Sequence, residues 1–140
     1  MKKTVVGLVA AGVFLAGAGT AVGSSWRNLP DQRTAGVAFE GGQYQFNPTE
    51  RNHGAFEWRG YLRDTNTTDG HNGYVEVQVD GHDWMRYYGK QGKAVFMHHS
   101  NWDGAQQYIE HARLHVCRDR GALRPDNCST ERHFSYGING

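Results

Sequence analysis

Proline numbers three and cysteine two in 140 residues, and neither sign of charge prevails, with 15 basic side chains against 14 acidic ones. Those counts exclude proline-rich linkers and disulfide-dense scaffolds. The even charge excludes the basic footprint that nucleic acid or anionic lipid would require. Long apolar runs are missing everywhere but at the start, so nothing after residue 23 approaches the length of a transmembrane helix. Catalytic signatures are missing too: there is no G-x-S-x-G, no H-E-x-x-H, and no glycine-rich phosphate loop after a strand.

Residues 1–23 read as an export signal. Lys2 and Lys3 form its basic start, residues 5–18 are apolar and uncharged, and small residues offer cleavage after Ala21 or Gly23. An uncleaved anchor is the competing reading, but five glycines and the polar exit Ser24-Ser25 favour removal. Cleavage leaves about 117 residues, one ordinary domain, with 13 basic against 14 acidic side chains. The expected product is secreted and free of the membrane.

Secretion decides how the cysteine pair is read, because an isolated pair outside the cytosol is usually oxidised. Cys117 and Cys128 would close an arginine-rich loop, a link worth on the order of 3 kcal/mol.

Strand signals recur along the remainder. Residues 24–36, polar and containing Pro30, read as an extended N-terminal arm. Residues 37–39 and 43–46 flank Gly41-Gly42 like a tight hairpin. Phe56, Trp58, Gly60 and Leu62 alternate with Glu57, Arg59, Tyr61 and Arg63, the cleanest strand in the chain. Val75, Val77 and Val79 alternate with polar residues before Asp80-Gly81, and residues 84–88 and 93–98 flank residues 89–92 as a further hairpin. Residues 112–116 lead into the disulfide loop, and residues 132–136 return as a last strand. Residues 104–110 also fit a short helix. Seven to nine strands at this spacing predict an all-β, single-domain antiparallel β-sandwich over residues 37–140, with one disulfide-closed C-terminal hairpin.

The core must be largely aromatic, since after the signal 16 Phe, Tyr and Trp outnumber 12 Val, Ile and Leu. Phe56 and Trp58 belong inside, whereas Trp84, Tyr87, Tyr88 and Trp102 divide between core and surface. Eight histidines supply acid-base or ligand chemistry in principle. His111 and His115 on a strand would stand roughly 13 Å apart, too far to share a metal, and no third ligand accompanies them. Asp64, Asn66 and Asp69 miss the calcium-loop register, because positions six and twelve hold Asp69 and Val75. No metal, cofactor or catalytic set is expected.

The run from Leu114 to Cys128 resembles the C-terminal part of small secreted single-disulfide all-β proteins of actinobacteria, in which a strand ends in cysteine and an arginine-rich hairpin runs to a second cysteine. Within that group, size and layout are similar to the adaptor subunit of umbrella toxin particles. The resemblance covers the mature domain in outline and the cysteine hairpin in residues. It implies a non-enzymatic adaptor joining a lectin to a large toxin subunit through an extended N-terminal segment. Trp26, Leu29 and Pro30 would be the arm's contacts, by strand addition or cleft insertion. Arg118, Arg120 and Arg124 would make a second docking surface. The alternatives are a lectin-like module using Trp84, Tyr88 or Trp102, and a small secreted hydrolase such as a ribonuclease.

Overall fold

The computed structural model describes residues 26–68, 70–104 and 108–137. The expected export signal lies outside the described residues, as do Ser24, Ser25, Asp69 and residues 105–107 and 138–140. Within the described residues the strands are β1 (Arg27–Leu29), β2 (Gln32–Thr34), β3 (Val37–Phe46), β4 (Phe56–Asp64), β5 (Gly73–Val79), β6 (Met85–Tyr88), β7 (Ala94–Asn101), β8 (His111–Arg118), β9 (Asn127–Cys128) and β10 (Arg132–Ser135). A short 3-10 turn at Asn52–Gly54 interrupts them.

Two antiparallel sheets result. The first runs β1-β3-β4-β7, with β2 also pairing β3, and the second runs β10-β8-β5-β6, with β9 also pairing β8. Their facing sides make an antiparallel sandwich, and Cys117 pairs with Cys128 both in register and by disulfide. That closes the C-terminal hairpin as expected.

The alternation in β4 is what sets the first sheet. Phe56, Trp58 and Leu62 are buried, while Tyr61 and Arg63 on the other side are exposed. Val75, Val77 and Val79 of β5 and Ala112, Leu114 and Val116 of β8 supply the opposing wall. Gly60 has no side chain because the Phe39 ring covers it: a Cβ there would sit 2.4 Å from Phe39 Cζ.

Four expectations are corrected. Gly41-Gly42 makes a bulge inside one continuous strand, not a hairpin between two: the β3–β4 register shifts between Glu40 and Gln43, and Gly41 takes a φ of 62°. Gly42 also leaves room for Leu29, whose Cβ would lie 3.0 Å from a Cβ at that position. The N-terminal residues are therefore part of the sandwich. β1 and β2 pair with the two halves of β3, and Leu29 is only 1% exposed. The boundary expected at residue 37 thus divides a single sheet.

Residues 84–88 and 93–98 do not pair with each other. β6 turns back onto β5 after Asp80-Gly81, whereas β7 crosses to β4. The crossing is pinned where the Asp64 carboxylate accepts the Gly92 N–H at 2.9 Å. Glycines mark a reversal of the chain without specifying which sheet receives the next strand. Of the segment 104–110 that also fitted a short helix, residues 105–107 lie outside the described residues, residues 108–110 are not helical, and Ile109 is fully buried in the core. Among the described residues the strands number ten, above the seven to nine expected, because the N-terminal segment adds two.

Candidate binding face and arginine pocket

The outer face of the first sheet carries a row of aromatic and charged side chains. Tyr61 on β4 is opposite Phe96 on β7; their rings lie 5.1 Å apart and both are about half exposed, at 52% and 53%. Two residues along the same strands, Arg59 is opposite His98. Trp26 lies across this pair, with the Arg59 guanidinium 4.1 Å from its ring centroid and the His98 ring edge-on at 5.7 Å.

These side chains are held from the sheet beneath. Both Nε and Nη2 of Arg59 donate to Gln43 Oε1 on β3, at 2.9 and 2.7 Å. Glu57 accepts from Gln45 and Asn47 on one oxygen and meets His98 Nε2 at 2.9 Å with the other. Burial pushes the Glu57 carboxyl up, but the hydrogen bonds from Gln45, His98 and Asn47 outweigh it and hold the group below its ordinary value. At one border Glu40 joins Arg33 and Arg63. At another, Asn52 and His53 adopt positive φ, a conformation non-glycine residues rarely enter. Asn52 donates to Ser100 Oγ at 2.6 Å, and His53 stacks on Trp102 at 4.2 Å.

On the second sheet the outer face carries a polar network. Glu76 bridges Arg86 at 2.7 Å and His115 at 3.1 Å, and His115 stacks on Trp84. Arg86 covers the Tyr74 ring at 4.0 Å, and the Tyr74 hydroxyl donates to Asp126. Burial first, then this bond, push the Tyr74 hydroxyl well above its usual range. The same hydrogen bond, with the Arg120 N–H, holds Asp126 below its own.

Of the residues expected to bind a partner, Leu29 is core and Pro30 is exposed. Trp26 belongs to the face just described. Arg118, Arg120 and Arg124 converge, together with His71 and Asn127, around a cavity of about 380 Å³. The lectin trio does not form one platform: Trp84 rests on His115, Tyr88 on Tyr74 and Trp102 on His53.

Histidines 111 and 115 sit on β8, each meeting a carboxylate: His111 that of Asp80, just past the end of β5, at 3.3 Å, and His115 that of Glu76 on β5 at 3.1 Å. A polar cleft of about 560 Å³ opens beside the first pair and includes His82, Asp83 and His133 in its lining. Among the described residues one group places three ligand-type atoms within 4.8 Å, His115 with Cys117 and Cys128, but its two sulfurs are bonded to each other and offer no thiolate. Asp64 and Asn66 spend their side-chain oxygens on the backbone N–H groups of Asn66, Gly92 and Thr68, as turn residues do.

Sequence reasoning missed Tyr61, Phe96, Arg59 and His98 as a group. The alternation of residues 56–63 set Arg59 and Tyr61 on the wetter side of β4, but the meeting of β4 with β7 and Trp26 depends on pairings between distant segments.

The fold and surface define a disulfide-closed β-sandwich whose first sheet carries a half-exposed pair of aromatic rings on its outer face. No protein-family model, no curated protein and no solved structure matches the chain. No helix of the described residues is long and apolar enough to cross a membrane.

Proposed function

We propose that the protein is a secreted, non-enzymatic module that binds another protein through the outer face of its first sheet. The observation that carries this reading is the half-exposed Tyr61–Phe96 pair in register with the Arg59–Trp26 stack. Aromatic rings and arginine are the side chains that dominate binding energy at protein interfaces. Gln43, Gln45 and Asn47 fix the neighbouring charges before any partner arrives, which reduces the ordering cost of association.

The disulfide supports an oxidising, extracellular setting. The adaptor role implied by the cysteine hairpin fits the same reading, with the partners being other secreted proteins, a lectin and a large toxin subunit. Trp26 brings the N-terminal segment into the contact, although as a member of the face and not as a free arm.

Deleting residues 24–36 would remove two strands and Leu29, so the test uses point substitutions. The tagged protein and a Tyr61→Ser/Phe96→Ser variant are used to capture proteins from the native culture medium. Both side chains are exposed, and the variant should keep its fold by circular dichroism. Proteins retained by the parent and lost by the variant are the expected result. Equal retention by both overturns the reading.

A further inference from the structure

We infer that the free edge of β7 pairs with the β7 edge of a second copy of this chain, antiparallel and centred on Met97, joining the two first sheets into one. Among the described residues β4 is the only strand beside β7. The Asp64 N–H bonds the Lys93 carbonyl at 3.3 Å, one step beyond the Arg63–Ala94 pair. Alternation from that bond gives the main-chain groups of Val95, Met97, His99 and Asn101 to β4 and turns those of Ala94, Phe96, His98 and Ser100 away from it. The side chains of these last residues are exposed as well.

Sheet edges are normally kept from other chains by shortness, charge, proline or a bulge. Among the described residues the other edge strands are short: β1 and β2 have three residues each, β6 and β10 four, and β9 two. β7 has eight, with no proline, no Asp, Glu, Lys or Arg, and no break in its register with β4. Beside it on β6, Met85 is 50% exposed and, with Tyr87, Ser100 and Trp102, lines a cavity of about 160 Å³ between the two edge strands.

The strand's own symmetry and the charges flanking it select the occupant. An antiparallel copy centred on Met97 sets Phe96 opposite His98 and Ala94 opposite Ser100, in both directions, so every main-chain group turned away from β4 finds a partner. One strand further in, β4 contributes Arg63 next to Ala94 and Glu57 next to Ser100. The two-fold therefore places the basic end of one face against the acidic end of the other, with only Ala and Ser between them, whereas a parallel copy brings like ends together. Arg63 keeps its bond to Glu40 at 3.2 Å and Glu57 its contact with His98, so these charges choose the direction. Main-chain bonds and the half-exposed Phe96 ring supply the hold. One such edge per chain closes the assembly at two copies. The added strand lies in the plane of the sheet and leaves its outer face open, so the pairing does not depend on the proposed capture of another protein.

Sedimentation equilibrium of the purified protein, from low to high micromolar concentration, tests the pairing. A single strand pairing is a small interface, so the weight-average mass should rise with concentration towards twice that of one chain. Phe96→Lys sets a charge against His98 and Arg59 of the other copy and should weaken the dimer about tenfold or more. Ala94→Pro removes an N–H at the first position of the strand, keeps every bond to β4, and should weaken it too. Both variants should retain the circular dichroism of the parent. An Ala94→Cys/Ser100→Cys chain should give, on oxidation, a covalent dimer that a reductant splits, and Ala94→Cys alone should not. The mass of one chain at every concentration overturns the proposal and leaves the edge to a foreign strand. A dimer equally stable in both β7 variants places the contact elsewhere and overturns it as well. Cross-linking by Ala94→Cys alone overturns the antiparallel register.

Discussion

Gly60 and His99 show how single positions constrain the sandwich. A methyl group on Gly60 would run into the Phe39 ring at 2.4 to 3.0 Å, inside a core that cannot open locally. Gly60→Ala should therefore destabilise the domain by about 1–3 kcal/mol, read as a lower urea midpoint with an unchanged slope. His99 packs on Trp58 and Tyr87, with ring centroids 5.2 and 4.1 Å away. Burial, then the charge of His98, push its imidazole below the ordinary value. The unfolded chain then binds a proton that the folded chain resists, so stability falls as pH drops through about 6.5 and levels off below the folded value. His99→Phe should shrink the difference between urea midpoints measured at about pH 7.5 and pH 5; an unchanged difference would remove His99 as its source. Glu57 and Asp126 act on the acid side. Their depressed values contribute stability that is intact above about pH 4 and is lost below it.

At the level of elements, alternation made β4, β5 and β8 legible, because a period of two with large apolar residues leaves one face to bury. β1 and β2 were not legible, since three-residue strands carry no period and Leu29 is a lone apolar residue among polar ones. What places them is the bulge in β3 and the slot at Gly42, a relation between segments. Leu29→Ala should cost about 2–5 kcal/mol, as a core residue and not as a surface anchor. Thermal unfolding checks it, and a loss within a few tenths of a kcal/mol would return the segment to the status of an arm. The β8–β9 link was legible from two cysteines alone. Replacing Cys117 and Cys128 with Ala should lower stability by about 3 kcal/mol and, because the loop then loses its closure, also release the arginine pocket.

Across the whole molecule the two outer faces differ in character. The second sheet carries the Glu76–Arg86–His115 network with the Tyr88 ring half exposed beside it, while the first leaves two paired rings half open beside a stacked tryptophan. The arginines of the loop were visible in the sequence as a charge cluster, and folding gathered three of them with His71 around one cavity. The aromatic face was invisible there, because its members come from residues 26, 59, 61, 96 and 98 and meet only when β7 crosses from β6 to β4. The most direct test of the binding face is photo-crosslinking from a benzoyl-phenylalanine placed at position 61, compared with one at position 88 on β6. Both sites are half exposed, at 52% each, and lie on different sheets. The account predicts protein adducts from position 61 and none from position 88 when the labelled chain is irradiated in its native medium. Adducts from position 88 alone, or none from position 61, would contradict it.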